Sequence, residues 1–296
     1  MVSTFDPSSL AKYSQLALVA RNLVEGFLTG LHKSPFKGAS VEFAEHRQYY
    51  PGDEIRHIDW RAVAKTDRYF VKEYEEETNL KAYLVVDASG SMAFRGKHRS
   101  KFQVAQHLAA SLAYLMLHQR DAVGLFLHDT ELRQVLKPRS YSKHLLRILT
   151  LLEKANPGGE TALAPIWHSI ADQLKQRSLV VILSDCFGEV SDLLKALQHL
   201  RHGRHEVLLL HVLAGEEIEF PFTKWTQFRN LEISGDRKLV DPHRLRKEYL
   251  ANFDRYCRDL REACGKTQVD YHRIRTDEPL EQALGVYLSR RQRQRG

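Results

Sequence analysis

Beyond Asn79 the sequence repeats one rhythm: a short apolar, β-prone run, a loop, then a helical pattern. Leu80 to Val86 is the first such run, and it ends at Asp87. A helix opens near Ser100, where Ser100 and Gln103 have capping-box spacing, and Phe102, Ala105, Ala109, Leu112 and Met116 form its apolar stripe. Ala122 to Leu127, Leu179 to Leu183, Val207 to Val212 and Val269 to Ile274 are the further strand candidates, with helical patterns between most of them. Alternation of this kind predicts an α/β fold, a mostly parallel sheet with helices on both faces. The unbroken apolar run at 179–183 suits a central strand buried on both sides.

Two stretches break the rhythm. Residues 1–79 read as a leading region, in which Leu10, Tyr13, Leu16, Ala17, Ala20, Leu23, Val24 and Phe27 recur at helical spacing behind the start signals Pro7, Ser8 and Ser9. After Pro35, the strand-like runs Val41 to Tyr50 and Tyr69 to Tyr74 flank the turn signal Pro51-Gly52-Asp53. Residues 214–241 interrupt the α/β region, and Leu231 to Val240, with Ser234-Gly235-Asp236 at the middle, reads as a β-hairpin free to pair with the small β element of the leading region. The expected organisation is a helix and small β element at 1–79, then an α/β domain at 80–296 carrying a hairpin insertion at about 214–241.

Composition removes several function classes. With 43% hydrophobic and 27% charged residues the chain is globular, and no apolar run approaches the ~20 residues of a spanning helix. No basic stretch followed by an apolar block opens the sequence, so a cytoplasmic protein without a membrane segment is expected. Cys186, Cys257 and Cys264 make neither an even disulfide framework nor a close metal-binding pair, and read as reduced thiols. A formal charge of +7 raises nucleic acid as a partner. The excess is local, however, with Arg290, Arg291, Arg293 and Arg295 at the end and Arg244, Arg246, Lys247, Arg255, Arg258 and Arg261 on one helix. No aromatic platform or DNA-reading unit accompanies them, so both read as solvated faces and nucleic acid is disfavoured.

The informative chemistry lies where strands end. Asp87-Ala88-Ser89-Gly90-Ser91 sets an aspartate at the end of an apolar strand and two hydroxyls on the following loop. Loops at the carboxyl ends of parallel strands line the ligand crevice of an open sheet. Alone, the three residues read as caps of the following turn. Gly158-Gly159-Glu160-Thr161 precedes a helix with Pro165 in its first turn and Ile166, Trp167, Ile170 and Leu174 on its buried side, which sets Thr161 in the loop ahead of it. Ser184-Asp185 closes the 179–183 run at the same sheet edge as Asp87. Two carboxylates and three hydroxyls then converge, an all-oxygen set suited to a hard cation such as Mg²⁺.

Asp87, Ser89, Ser91, Thr161 and Asp185 resemble the metal-ion-dependent adhesion site of von Willebrand A domains: Asp-x-Ser-x-Ser, a distant Thr, and a strand-terminal Asp. The resemblance implies that Ser89 and Ser91 bind Mg²⁺ or Mn²⁺ directly, Thr161 directly or through water, and Asp87 and Asp185 mainly through water. It also implies an open position for a partner's carboxylate. One departure is Cys186-Phe187 after Asp185, where many extracellular members have glycine. A wider set of motifs, Glu42 to Tyr49, Pro51-Gly52-Asp53, Ile58-Asp59-Trp60-Arg61, Tyr74 to Asn79, Asp241-Pro242 and Thr276 to Leu280, resembles domain-of-unknown-function family 58. That resemblance implies a von Willebrand A-like adaptor that works with a MoxR-type AAA+ ATPase in the maturation or assembly of client proteins. Many members carry membrane helices ahead of this region, and none is read here.

Other candidate chemistry is thinner. The charged stretch Asp53 to Lys72 reads as structural ion pairing rather than a docking surface, and His199, His202 and His205 read as polar residues around a helix end rather than a transition-metal site. No Walker-type phosphate loop is present. A metal-dependent hydrolase or phosphatase with Asp87 as nucleophile is the alternative function. It lacks an acid and base in the loop, since Ser89 stands where haloacid-dehalogenase-type phosphatases have a second aspartate. A non-enzymatic binding module is therefore expected. Since the crevice should face solvent, truncating Asp87 is expected to change stability little.

Overall fold

The computed structural model describes residues 15–33, 46–48, 70–72, 80–233 and 235–295. The chain divides into two compact units, one of residues 1–28 with 80–296 and one of residues 29–79. In the first, residues 15–28 of helix α1 (Gln15–Lys33) bury Leu16, Ala17, Ala20 and Val24, the face its periodicity predicts. Leu10, Tyr13 and the start signals Pro7, Ser8 and Ser9 lie outside the described residues. In the second unit, β1 (His46–Gln48) and β2 (Phe70–Lys72) pair antiparallel within the two strand-like runs. Pro51-Gly52-Asp53 and most of the charged stretch that follows fall outside the described residues.

The remaining elements follow in chain order: β3 (Lys81–Asp87), α2 (Lys101–His118), β4 (Ala122–His128), β5 (Leu132–Arg139), α3 (Ser142–Lys154), α4 (Leu163–Gln173), β6 (Leu179–Ser184) and α5 (Val190–His202). Then come β7 (Glu206–Leu213), α6 (Gly215–Glu219), β8 (Thr226–Arg229), β9 (Arg237–Val240), α7 (Pro242–Lys266), β10 (Asp270–Arg275) and α8 (Glu281–Arg295). Six strands form one sheet in the order β10-β7-β6-β3-β4-β5, parallel except for β5 at one edge.

The strand period of two divides the core between the faces of this sheet. On β6, Val181 and Leu183 join a core built with α1, α2, α3 and α8, while Val180 and Ile182 join one built with α4, α5 and α7. Helix α2 is buried along most of its length, which its nearly all-round Ala and Leu content permits. Both halves of its capping box are present: Gln103 N donates to Ser100 Oγ at 3.1 Å and Ser100 N to Gln103 Oε1 at 3.0 Å. No described helix is long and apolar enough to cross a membrane. All three cysteines are free and buried.

Two expectations need correction. β5 was not among the strand candidates; its sequence LRQVLKPR lacks clean alternation because it is an exposed edge, where Lys137 and Pro138 are tolerated and discourage further pairing. The hairpin of the insertion is β8 with β9, so Leu231 to Ile233 form its tip and not its first strand. An aliphatic pair mimics a strand in sequence, but Asn230 Oδ1 accepts from the N–H of both Glu232 (2.9 Å) and Ile233 (3.2 Å), an Asx turn that ends the ladder. Among the described residues this ribbon is a two-stranded sheet of its own.

Candidate metal centre

The sheet is laid down outward from β3 to β4 and β5, then restarts at β6 and grows the other way to β7 and β10. The direction of winding therefore reverses between β3 and β6, and loops leaving their carboxyl ends diverge to open a crevice. Val86 pairs with Leu183 in this register, so Asp87 and Ser184-Asp185 end their strands side by side.

Asp87 is fully buried, with Oδ1 accepting from Ser89 N at 2.9 Å and Oδ2 from Ser184 Oγ at 2.5 Å. The first bond folds the loop back so that Ser89 Oγ and Ser91 Oγ stand 3.1 Å apart. Gly158 N donates to Ala88 O and Gly90 N to Gly159 O, both at 2.9 Å, and so the Thr161 loop is stitched to the Asp87 loop. Gly90 is required there, because a Cβ would come within 2.7 Å of Gly159 O and 2.5 Å of Leu231 O. Burial foremost, with the neighbouring Asp185 charge adding to it, raises the Asp87 carboxyl above its usual range. His128, paired with Asp87 on β4, is also fully buried, and burial holds its imidazole low.

Asp185 meets different surroundings. Its Oδ2 accepts from Lys101 Nζ at 2.7 Å and its Oδ1 from Phe187 N at 3.2 Å, and Ser91 also hydrogen-bonds the carboxylate. Burial alone would raise this carboxyl, but the Lys101 charge and these hydrogen bonds carry it below the usual range. Lys101 Nζ also donates to Glu217 Oε1 at 2.7 Å. Cys186 adopts φ +55°, the left-handed region that favours glycine, so a residue with a side chain makes the turn after Asp185 here.

Behind Asp185, His211 Nε2 lies 2.9 Å from its carbonyl oxygen and Nδ1 lies 2.8 Å from Tyr271 Oη. Burial pushes the His211 imidazole down to about 4, so between there and the ordinary 6.5 the unfolded chain binds the extra proton. Stability then rises with pH across that window and is lost on acidification. The wild type should lose about 2 kcal/mol more than His211→Asn between pH 7.5 and 5 in urea denaturation. Parallel pH profiles would show that His211 takes up its proton without unfolding.

The structure brings Asp87, Ser89, Ser91 and Asp185 into one hydrogen-bonded cluster and anchors the Thr161 loop beside it. Thr161 itself hydrogen-bonds Glu232 at the hairpin tip, its hydroxyl to Oε1 and its N–H to Oε2 at 3.3 Å. Ser91, Lys101, Glu217 and Glu232 line one crevice of about 530 Å³. Lys101, Glu217 and Glu232 escaped the sequence reading, which names Ser184 only as part of a strand end. Lys101 alone carried a signal, being a cation in the first turn of a helix, where the dipole favours anions.

The other histidine cluster stays apart: His199 Nδ1 is 3.0 Å from His168 Nδ1, and His205 is buried. Among the described residues no group of three or more His, Cys, Asp or Glu could hold a metal ion. The set expected from the sequence differs in kind, since it counts hydroxyls among its ligands. Adjacent ligands of an octahedral ion with bonds of about 2.1 Å stand about 3 Å apart, which the Ser89 and Ser91 oxygens match at 3.1 Å.

An open, mostly parallel sheet with helices on both faces is a von Willebrand A-like α/β fold. The chain belongs to the family described as protein of unknown function DUF58, matched over residues 45–257. It is 28% identical over 219 residues to an uncharacterized protein of Mycobacterium tuberculosis, covering 73% of this chain and 68% of that one. Among solved structures it is similar to an aerotolerance-related membrane protein from Bacteroides fragilis, with TM-score 0.50, 17% identity, and coverage of 70% of this chain and 96% of that chain. It is also similar to the conserved hypothetical protein BatB from Bacteroides thetaiotaomicron, with TM-score 0.49, 15% identity, and coverage of 71% and 98%.

Proposed function

We propose that the crevice is a metal-dependent protein-binding site in which Ser89, Ser91 and Thr161 hold Mg²⁺ or Mn²⁺ while Asp87 and Asp185 order its water. Bound there, the ion supplies an electrophilic position for a carboxylate of a partner protein. The observation that carries this reading is the pair of hydroxyl oxygens 3.1 Å apart, set at the switch point beside two buried strand-terminal carboxylates. Neutral hydroxyl ligands leave the charge of an ion largely unquenched, and the Lys101 ammonium on Asp185 weakens the site further. Weak metal binding that strengthens when a partner adds its acid is the expected behaviour. The hydrolase reading loses ground because Asp87 is fully buried, with a hydrogen bond to each carboxylate oxygen, where a nucleophile would lack access to a substrate.

Membership of the family supports an adaptor role, with a MoxR-type AAA+ ATPase and an acid-presenting client as the partners. Nucleotide chemistry belongs to the ATPase in this scheme, as no phosphate loop occurs in this sequence. Titration calorimetry with MnCl₂ tests the site: the Ser89→Ala, Ser91→Ala double variant should bind at least about tenfold more weakly than wild type. Equal binding by the two proteins would remove the assignment. Affinity capture from lysate should then recover the ATPase without chelator and lose it with chelator.

A further inference from the structure

The hairpin tip is seated on both loops that carry the hydroxyls. The Leu231 carbonyl lies over Gly90, between Ser89 and Ser91, with no room for a Cβ beneath it. One residue on, the Glu232 carboxylate holds both the hydroxyl and the N–H of Thr161. The tip also holds a set shape of its own. Its Asn230 turn is locked across the ribbon, by Asn230 N to Asp236 O at 2.9 Å and Asn230 Nδ2 to Asp236 Oδ2 at 3.3 Å, and Gly235 closes the turn at φ +89°. Glu232 is half-buried and faces the same crevice as Ser91 and Lys101, while Leu231 and Ile233 on either side remain exposed. A carboxylate thus already sits on the third hydroxyl of the set and faces the crevice that Ser91 lines.

We infer that Glu232 is a built-in ligand of this site: its carboxylate takes the open coordination position in the resting chain, and a partner's carboxylate binds by displacing the hairpin tip. This rests on the metal-binding reading above. The exposed tip makes displacement feasible, because withdrawal breaks the contacts with Thr161 and Gly90 without opening either hydrophobic core. A resting chain held mostly closed lowers the apparent affinity for partners by the fraction that is open. The insertion would thereby set the threshold for engagement.

The test uses the full chain with Mn²⁺ as probe, reading its Kd by calorimetry and its coordinated water by water-proton relaxation. Glu232→Gln keeps a hydrogen-bond acceptor for Thr161, so thermal unfolding should match wild type. Its Mn²⁺ affinity should fall about tenfold and its relaxivity should rise as water replaces the carboxylate. Added acetate should lower that relaxivity again, at concentrations that leave wild type unchanged. Mn²⁺ bound with the same Kd and relaxivity by both proteins overturns the inference alone and leaves the tip as a tether for the Thr161 loop. A wild type that takes up no Mn²⁺ overturns the metal reading and this inference with it.

Discussion

Lys101→Met is expected to lower stability by about 3–5 kcal/mol. The Lys101 ammonium is 2.7 Å from one carboxylate oxygen of Asp185 and 2.7 Å from one of Glu217. The side chains of Lys101 and Asp185 are 4% and 2% exposed, so water screens little between them. Glu217 is 23% exposed, so its arm of the network is partly screened and most of the effect comes from Asp185. Burial disfavours the charged lysine, but the two carboxylates more than offset it and push its pKa up. Removing the cation leaves the Asp185 anion buried near Asp87, a second buried carboxylate, without the Lys101 charge that offsets its burial. The second variant decides the cause: Lys101→Met combined with Asp185→Asn should recover a substantial part of the loss, since the neutral pair no longer strands a charge. A loss under about 1 kcal/mol for the single variant, measured by urea denaturation, would show that the pair is solvated after all.

That network also marks where sequence reading stopped. Asp87 and Asp185 were legible because each closes an apolar strand, and the ends of adjacent parallel strands must meet at one edge. Ser89 and Ser91 came with Asp87 as local sequence, and Thr161 came from its place ahead of α4. Lys101, Glu217 and Glu232 reach the site across 84, 116 and 71 residues from the groups they bind, and no periodicity reports such pairings. Glu217 and Glu232 come from the insertion, the one part of the α/β region whose pattern departs from the repeat. Leu231 and Ile233 made its tip look like a strand, yet both are exposed, so their apolar character reports the surface of the tip and not a sheet. The parallel strands were readable since burial on both faces leaves them apolar throughout, whereas β5 at the open edge keeps charges that blur its alternation.

Asp87 needs a different test from the one the sequence suggests. Its carboxylate does not face solvent: it is fully buried, so Asp87→Ala would strand the Ser184 hydroxyl and the Ser89 N–H at about 1–3 kcal/mol for each unmet group. Asp87→Asn avoids this, since its Oδ1 can still accept from Ser89 N while its Nδ2 donates to Ser184 Oγ. Burial and the charge of Asp185 raise the Asp87 carboxyl above its unfolded value. Such a group favours the fold fully below the unfolded pKa, and that contribution fades as pH rises through the folded value. At neutral pH a neutral amide should therefore unfold at an equal or higher temperature than the wild type without metal. Function should move the other way: Mn²⁺ affinity falling about 10–100-fold, as for other groups that orient a metal's shell, and chelator-sensitive capture of the partner lost. Phosphoester and peptide assays should show no turnover that depends on Asp87. Unchanged Mn²⁺ binding by a well-folded Asp87→Asn protein would place the metal elsewhere, and Asp87-dependent hydrolysis would make this domain an enzyme.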